Sequence, residues 1–259
     1  SHTSSVRGGG GGAGGGAGRA GGGGRGGGGG GGPGGGGAGA WAGRPAPAAA
    51  RPSGREAATS LRQGGEDALR EHVLALLAAY PDGVLPIVQA GHPVLRTPAV
   101  PYAGQLGDAL PRFLDAMRTT MRAAPGVGLA APQVGIGLAV AVVEDPGAPD
   151  VGDDRERSPL EYRVLVNPRY EVVGEETRTF FEGCLSVHGW QAERTRAHAV
   201  RLTGQDEAGE PFDDVLTGWP ARIVQHETDH LRGELYLASA DLRTLSSTLG
   251  VARLPGAGS

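Results

Sequence analysis

Large apolar residues are scarce in the first 60 positions of this 259-residue chain and recur at regular spacings after them. From 65 to 80, Leu69, Val73, Leu76, Leu77 and Tyr80 follow helical spacing, and Pro81-Asp82-Gly83 stops the run. Val84 to Gln89 reads as a short strand, and the proline-punctuated stretch from Gly91 to Pro101 as a loop. Between 107 and 123, Leu110, Phe113, Leu114, Met117 and Met121 recur at i, i+3, i+4, i+7 and i+11. That is one apolar stripe of a core-facing helix, ended by Pro125-Gly126.

The second half reads mostly as strands. Ile136 to Val143 has the continuous apolar character of a buried strand. Glu144 to Glu161 is acidic, carries Pro and Gly, and reads as a mobile loop. Val164 to Asn167, Tyr170 to Val173 and Thr177 to Phe181 predict antiparallel strands. Ala197 to Thr203 and Phe212 to Leu216 flank the polar turn Gly204 to Gly209 as a hairpin. Trp219 to Arg232 predicts a helix, with Pro220 in its first turn and Gly233 placed to end it. From about 244 the chain is Ser-, Gly- and Pro-rich and is expected to fray. No internal repeat appears beyond the glycine tract. The sum is an α+β fold.

Composition divides the chain. Residues 7 to 40 are mostly glycine, and 41 to 58 are rich in Ala, Pro and Arg. Neither stretch carries enough apolar surface to offset the entropy of ordering it. Residues 1–60 therefore read as a disordered tail, 61–245 as one compact domain, and 246–259 as a flexible C-terminal tail. Net charge is −4, which argues against a generally basic nucleic-acid binder. The distribution is uneven: Arg7, Arg19, Arg25, Arg44, Arg51 and Arg55 are met by no acidic residue before Glu56. Every basic residue except histidine is arginine, and Asn167 is the one asparagine, a bias that fits a high-GC genome. A single cysteine, Cys184, excludes an internal disulfide framework and suits a reducing compartment. No run is long and apolar enough to span a bilayer, and no signal-peptide apolar core follows the N-terminus.

The candidate chemistry begins at Gln225-His226-Glu227-Thr228-Asp229-His230. Residues four apart share a helix face, so His226 and His230 can grip one metal ion with Glu227 beside it for proton transfer. The same pattern also arises on helices that bind nothing. Here Ile223, Val224 and Leu231 give the helix a buried side, and buried histidines need partners. A catalytic site of this type usually has three protein ligands, and Cys184 is the one candidate thiolate. A lone cysteine is commonly an inert buried thiol. As a ligand beside two imidazoles it would select zinc or ferrous iron over calcium or magnesium. Gly126-Val127-Gly128-Leu129-Ala130-Ala131 formally matches a dinucleotide fingerprint. A helix precedes it, and Pro132 and Gly135 interrupt any helix after it. It reads instead as a glycine-rich edge that a substrate backbone can approach.

Three segments together carry a resemblance. Gly126 to Gln133, Glu182-Gly183-Cys184-Leu185-Ser186 and Gln225 to Leu231 resemble the three signature motifs of peptide deformylases, in order, with weaker similarity from about Leu85 to Leu237. Leu216 to Leu231 is similar to actinobacterial members. The resemblance implies antiparallel strands packed around a central metal-binding helix. It implies removal of the formyl group from N-formylmethionine on nascent chains, with release of formate. It also implies Cys184, His226 and His230 as ligands of one divalent ion, ferrous iron usually, with zinc, nickel or cobalt as alternatives. Glu227 would be general base and acid, and Gln133 with the N–H of Leu185 would stabilise the oxyanion. Gly126, Val127, Gly128 and Leu129 would line the peptide cleft. Nascent peptides near the ribosome, in a bacterial cytoplasm, are the implied partners, with no membrane and no direct nucleic-acid binding by the folded domain.

Around these residues several readings stay open. Met121, Leu129 and Ile223 serve either a methionine pocket or ordinary core. Glu182 and Asp229 are candidate partners of the ligating histidines, Asp229 equally a solvated helix charge. Arg222 either pairs with an acidic residue or, the plainer reading, sits at the surface. Trp190 and Trp219 form a cleft wall or simply pack. His2, His72, His92, His188 and His198 lack ligand spacing and read as outside the site. His188 stands where many members have proline, and Ala238-Ser239 replace a common Asp-Arg. A zinc peptidase shares the helical motif, but Cys184 and Gln133 speak against it. A noncatalytic RNA-binding role for the Arg/Gly tail is opposed by its few arginines and by the lack of aromatics before Trp41.

Overall fold

The computed structural model describes residues 54–147 and 154–248. The expected disorder of residues 1–53, and of the C-terminal residues from 249 on, lies outside the described residues. The first helix, α1, runs Gly54–Ala79, starting well before the expected 65 and taking in residues assigned to the tail. Helix α2 spans Leu110–Ala123 after a short 3-10 turn, and all five residues of its predicted stripe are buried.

A five-stranded antiparallel sheet forms the centre. Its strands are β1 (Gly128–Ala130), β2 (Val140–Asp145), β3 (Leu160–Val172), and the hairpin β6 (Ala199–Gln205) and β7 (Pro211–Thr217). They are ordered β1-β2-β3-β6-β7. Alternate residues of the sheet enter two different cores, because successive side chains point to opposite faces. Leu129, Val140, Val142, Val164 and Val166 join α1 and α2 in one. Ala130, Ala141, Val143, Leu165, Val200 and Leu202 join Ala221, Ile223, Val224 and Leu231 in the other. Burial on both faces is why this part of the sequence reads as continuous apolar runs.

Ala221, Ile223, Val224 and Leu231 belong to α3, Gly218–Leu231, which packs on β1, β2, β3, β6 and β7 and also touches β5 (Trp190–Ala197). Strand β5 lies in a second, three-stranded sheet between β4 (Thr177–Gly183) and β8 (Asp241–Ser247). Gly233 ends α3 as expected: its φ is +80°, its N–H reaches the His230 carbonyl, and a Cβ there would lie 2.9 Å from the backbone of Arg96.

Several expectations are corrected. Val84 to Gln89 forms no strand; Val88 N–H and Ala90 N–H bond singly to the carbonyls of Gln133 and Ser186, without a ladder. The two strands expected at 164–167 and 170–173 are one strand with a bulge. Asn167 sits there at φ +50°, its side chain bonded both ways to the Tyr102 backbone. Thr244 to Ser247, expected to fray, are in β8. Strand β5 was not anticipated at all.

Candidate metal centre

Helix α3 places His226 and His230 one turn apart with their Nε2 atoms 3.1 Å from each other. Cys184 follows the last residue of β4, and its Sγ lies 3.3 Å from His230 Nε2. The sulfur and the two imidazoles offer ligand atoms that all lie within 4.8 Å of one another. The 3-10 turn Ala131–Val134 delivers Gln133. Its Oε1 accepts the Ala130 N–H at 2.8 Å, which fixes the amide so that Nε2 faces Cys184 Sγ at 3.6 Å and Ser186 Oγ at 3.3 Å.

Glu227 is 4% exposed, and its Oε2 has no hydrogen-bond partner. Burial pushes its carboxyl up to about 7, with Glu182 and Asp229 adding to the rise and His226 and Arg196 opposing it. The carboxylate passes directly beneath Gly128: a Cβ there would stand 2.2 Å from Glu227 Oε1. This explains one glycine of the glycine-rich edge by close approach rather than by turn geometry.

Behind the cluster lies a charged interior. His226 Nδ1–H donates to Glu182 Oε1 at 2.6 Å, leaving Nε2 toward Cys184 and His230. Arg196 grips both Glu182 oxygens at 2.8 and 2.7 Å, and Arg222 Nη1 adds a bond at 2.9 Å. Burial alone would raise the Glu182 pKa, but Arg196 and His226 outweigh it and hold the carboxyl well below its usual range. Asp229 accepts from Tyr170 OH, Arg194 Nη2 and Arg196 Nη1. Burial depresses the His230 pKa, which keeps that ring neutral. Arg222 is 3% exposed and bonded to Glu182, which overturns the surface reading and bears out the pairing with an acidic residue.

A cleft of about 320 Å³ opens over these groups, walled by Gly126, Val127, Gly128, Leu185, Phe181, Trp190, Trp219 and Ile223. Leu129 and Met121 are not on it; both are fully buried in the core that α1 and α2 form with the five-stranded sheet. His188, placed outside the site by its spacing, borders the cleft without joining the three-donor cluster. Sequence reasoning missed Arg194, Arg196 and Tyr170. The usable signal was Ala192-Arg194-Arg196 at a period of two, beside the already noted Glu182 and Asp229.

The residues fit a bound metal. One thiolate and two imidazoles are a donor set suited to zinc or ferrous iron. With its Nδ1 bonded to Glu182, His226 turns Nε2 toward the cluster as the ring nitrogen that would meet a cation. The buried Glu227 Oε2 lacks a protein partner at the same place.

Fold and site thus define an α+β protein with a Cys-His-His cluster and a buried carboxylate at the base of an apolar cleft. Residues 84–245 match the family model described as polypeptide deformylase. Peptide deformylase 3 of Streptomyces avermitilis is 61% identical over 188 residues, which cover 71% of this chain and 83% of that one. A peptide deformylase of Bifidobacterium adolescentis is 53% identical, over 63% of this chain and 76% of that one. The Met-Ala-Ser-bound class I type b peptide deformylase of Acinetobacter baumannii superposes with a TM-score of 0.55 at 36% identity, covering 60% of this chain and 98% of that one. The chain belongs to the peptide deformylase family, a family of hydrolases. Among the described residues no helix is long and apolar enough to cross a membrane.

Proposed function

We propose that this protein hydrolyses the formyl group from N-formylmethionine at the start of nascent chains, using one divalent ion held by Cys184, His226 and His230. Ferrous iron is the ion the family resemblance favours, with zinc, nickel or cobalt as substitutes. The observation that carries the reading is the buried Glu227 carboxylate, its Oε2 without a hydrogen-bond partner, beside the three-donor cluster at the base of a cleft with apolar walls.

A divalent ion in such a site supplies Lewis acidity and makes hydroxide available near neutral pH. Glu227, with its carboxyl raised to about 7, is matched to accept a proton and return it to the departing amine. As water attacks the formyl carbon, charge builds on the formyl oxygen. Gln133 Nε2, held by the Ala130 N–H, and the N–H of Leu185 are the donors assigned to that oxygen. Each such donor typically lowers the barrier by about 3–4 kcal/mol. Val127, Leu185, Trp219 and Ile223 offer the methionine side chain an apolar environment. The glycines at 126 and 128 admit the peptide backbone. The bonds broken and formed give formate and a free amino terminus. Nascent chains near the ribosome, in the cytoplasm, are the partners this substrate implies.

The test is formate release from an N-formylmethionyl tripeptide by protein loaded anaerobically with iron, beside Glu227→Ala. Release by the first and not the second is the expected result. Folded, metal-loaded protein that releases none would overturn the assignment.

A further inference from the structure

We propose that Arg196 is a positioning residue for the metal centre: it ties Glu182 to Asp229 and thereby sets the spacing between Cys184 and the two histidines. The inference rests on the proposed metal site but not on the identity of the substrate.

The three ligands come from two separate parts of the fold. Cys184 stands at the end of β4 in the three-stranded sheet, and His226 and His230 stand on α3; Cys184 and His230 are 46 positions apart in sequence. Something must fix the sulfur against the imidazoles. Glu182 lies two residues before Cys184 and takes the His226 Nδ1–H. Asp229 lies next to His230 on the helix. Arg196, 2% exposed at its side chain, holds both carboxylates at once: Nε and Nη2 on Glu182 and Nη1 on Asp229 at 2.8 Å. Among the described residues, the other two buried arginines do not make this link. Arg194 reaches Asp229 and the Tyr236 carbonyl. Arg222 reaches Glu182 and the carbonyls of Arg194 and Arg178.

Stability alone does not account for such a network. Buried ion pairs are often no better for stability than apolar residues of the same volume, because desolvation offsets the attraction. What a guanidinium adds is geometry: its planar fork fits one carboxylate with two parallel bonds and leaves a third N–H for another. An ammonium offers a point charge without that fixed shape. Partners behind a ligating histidine typically change metal affinity by about 10–100-fold when removed.

The experiment measures zinc affinity of the full chain by competition with a chromophoric chelator, together with melting of the metal-free protein. It compares wild type, Arg196→Met, Arg196→Lys and Arg194→Met. Arg194→Met removes a buried charge from the same network but leaves the Glu182–Asp229 link. Arg196→Met is expected to weaken zinc binding about 10–100-fold, Arg196→Lys by less, and Arg194→Met least, even where the melting temperatures fall alike. Equal weakening by Arg196→Met and Arg194→Met would show general loosening and overturn the positioning role, as would unchanged affinity in every variant. If Arg196→Met does not fold, Arg196→Lys against Arg194→Lys carries the same contrast. A wild type that binds no zinc, iron or cobalt would instead overturn the metal reading, and this inference with it.

Discussion

One side of α3 sets Ala221, Val224 and Leu231 in a cluster with Leu165, Val200 and Leu202 of the five-stranded sheet. The other side sets Arg222, His226 and Asp229 against Glu182, Arg194 and Arg196 of the three-stranded sheet. Both sides are buried, yet they do different work. The apolar side stabilises by removing area from water and tolerates other apolar residues of similar size. The charged side gains little net stability for its desolvation, and what it secures is the placement of donor atoms. The helix is held by one face and aimed by the other.

The contrast can be broken from either face. Glu227→Gln should lower turnover about 10²–10⁴-fold. Its melting temperature should be no lower than wild type, since a buried carboxylate with Oε2 unpartnered is replaced by a neutral group of the same shape. Steady-state kinetics beside thermal melting checks both. Leu202→Ala, on the apolar side, should do the reverse. It should destabilise by about 2–5 kcal/mol in urea unfolding while the turnover of the folded fraction stays near wild type. Gly128→Ala should cut turnover about 10²-fold, because the new methyl would displace the Glu227 carboxylate. Zinc affinity measured on that variant should be unchanged.

The smallest effect belongs to an ion cluster nearer the surface. Glu144 is held by Arg122 and then Arg118, which bring its carboxyl down to about 2. A depressed folded-state value means its contribution is complete above the ordinary carboxylate range and is lost as pH falls through about 2. Glu144→Gln should therefore flatten the acid limb of the melting curve between those limits, by under about 1 kcal/mol because the pair is partly solvated. Catalysis at neutral pH should not change.

The same two faces explain what the sequence revealed. The stripe of α2, the hairpin β6–β7, and α3 with Pro220 and Gly233 were legible because each has a single apolar period or a known stop. Three segments spaced far apart in sequence carried the site through their motifs, and Cys184, His226 and His230 do meet. Strand β5 was hidden because its inward positions are Ala192, Arg194 and Arg196. Its alternation is intact, but charged residues occupy the buried face, so an apolar period of two never appears. The partners that permit this burial, Glu182 on β4 and Asp229 on α3, are remote in sequence. Strand β8 was hidden for the opposite reason: Leu242 and Leu245 are exposed and nothing in Asp241–Ser247 alternates toward a core. Leu129 sat inside a motif and was assigned to the cleft, but β1 turns it to the core under α2 while its neighbours Gly128 and Val127 face the site.

Metal-centre chemistry here requires sulfur and two imidazoles to share one ion. Cobalt(II) loaded into the metal-free protein tests this most directly, through the thiolate-to-cobalt charge-transfer absorption. One equivalent should produce that band in wild type, and Cys184→Ser should lack it while still folding. No band in wild type, or the same band in both, would contradict the assignment of Cys184, His226 and His230 as the metal centre.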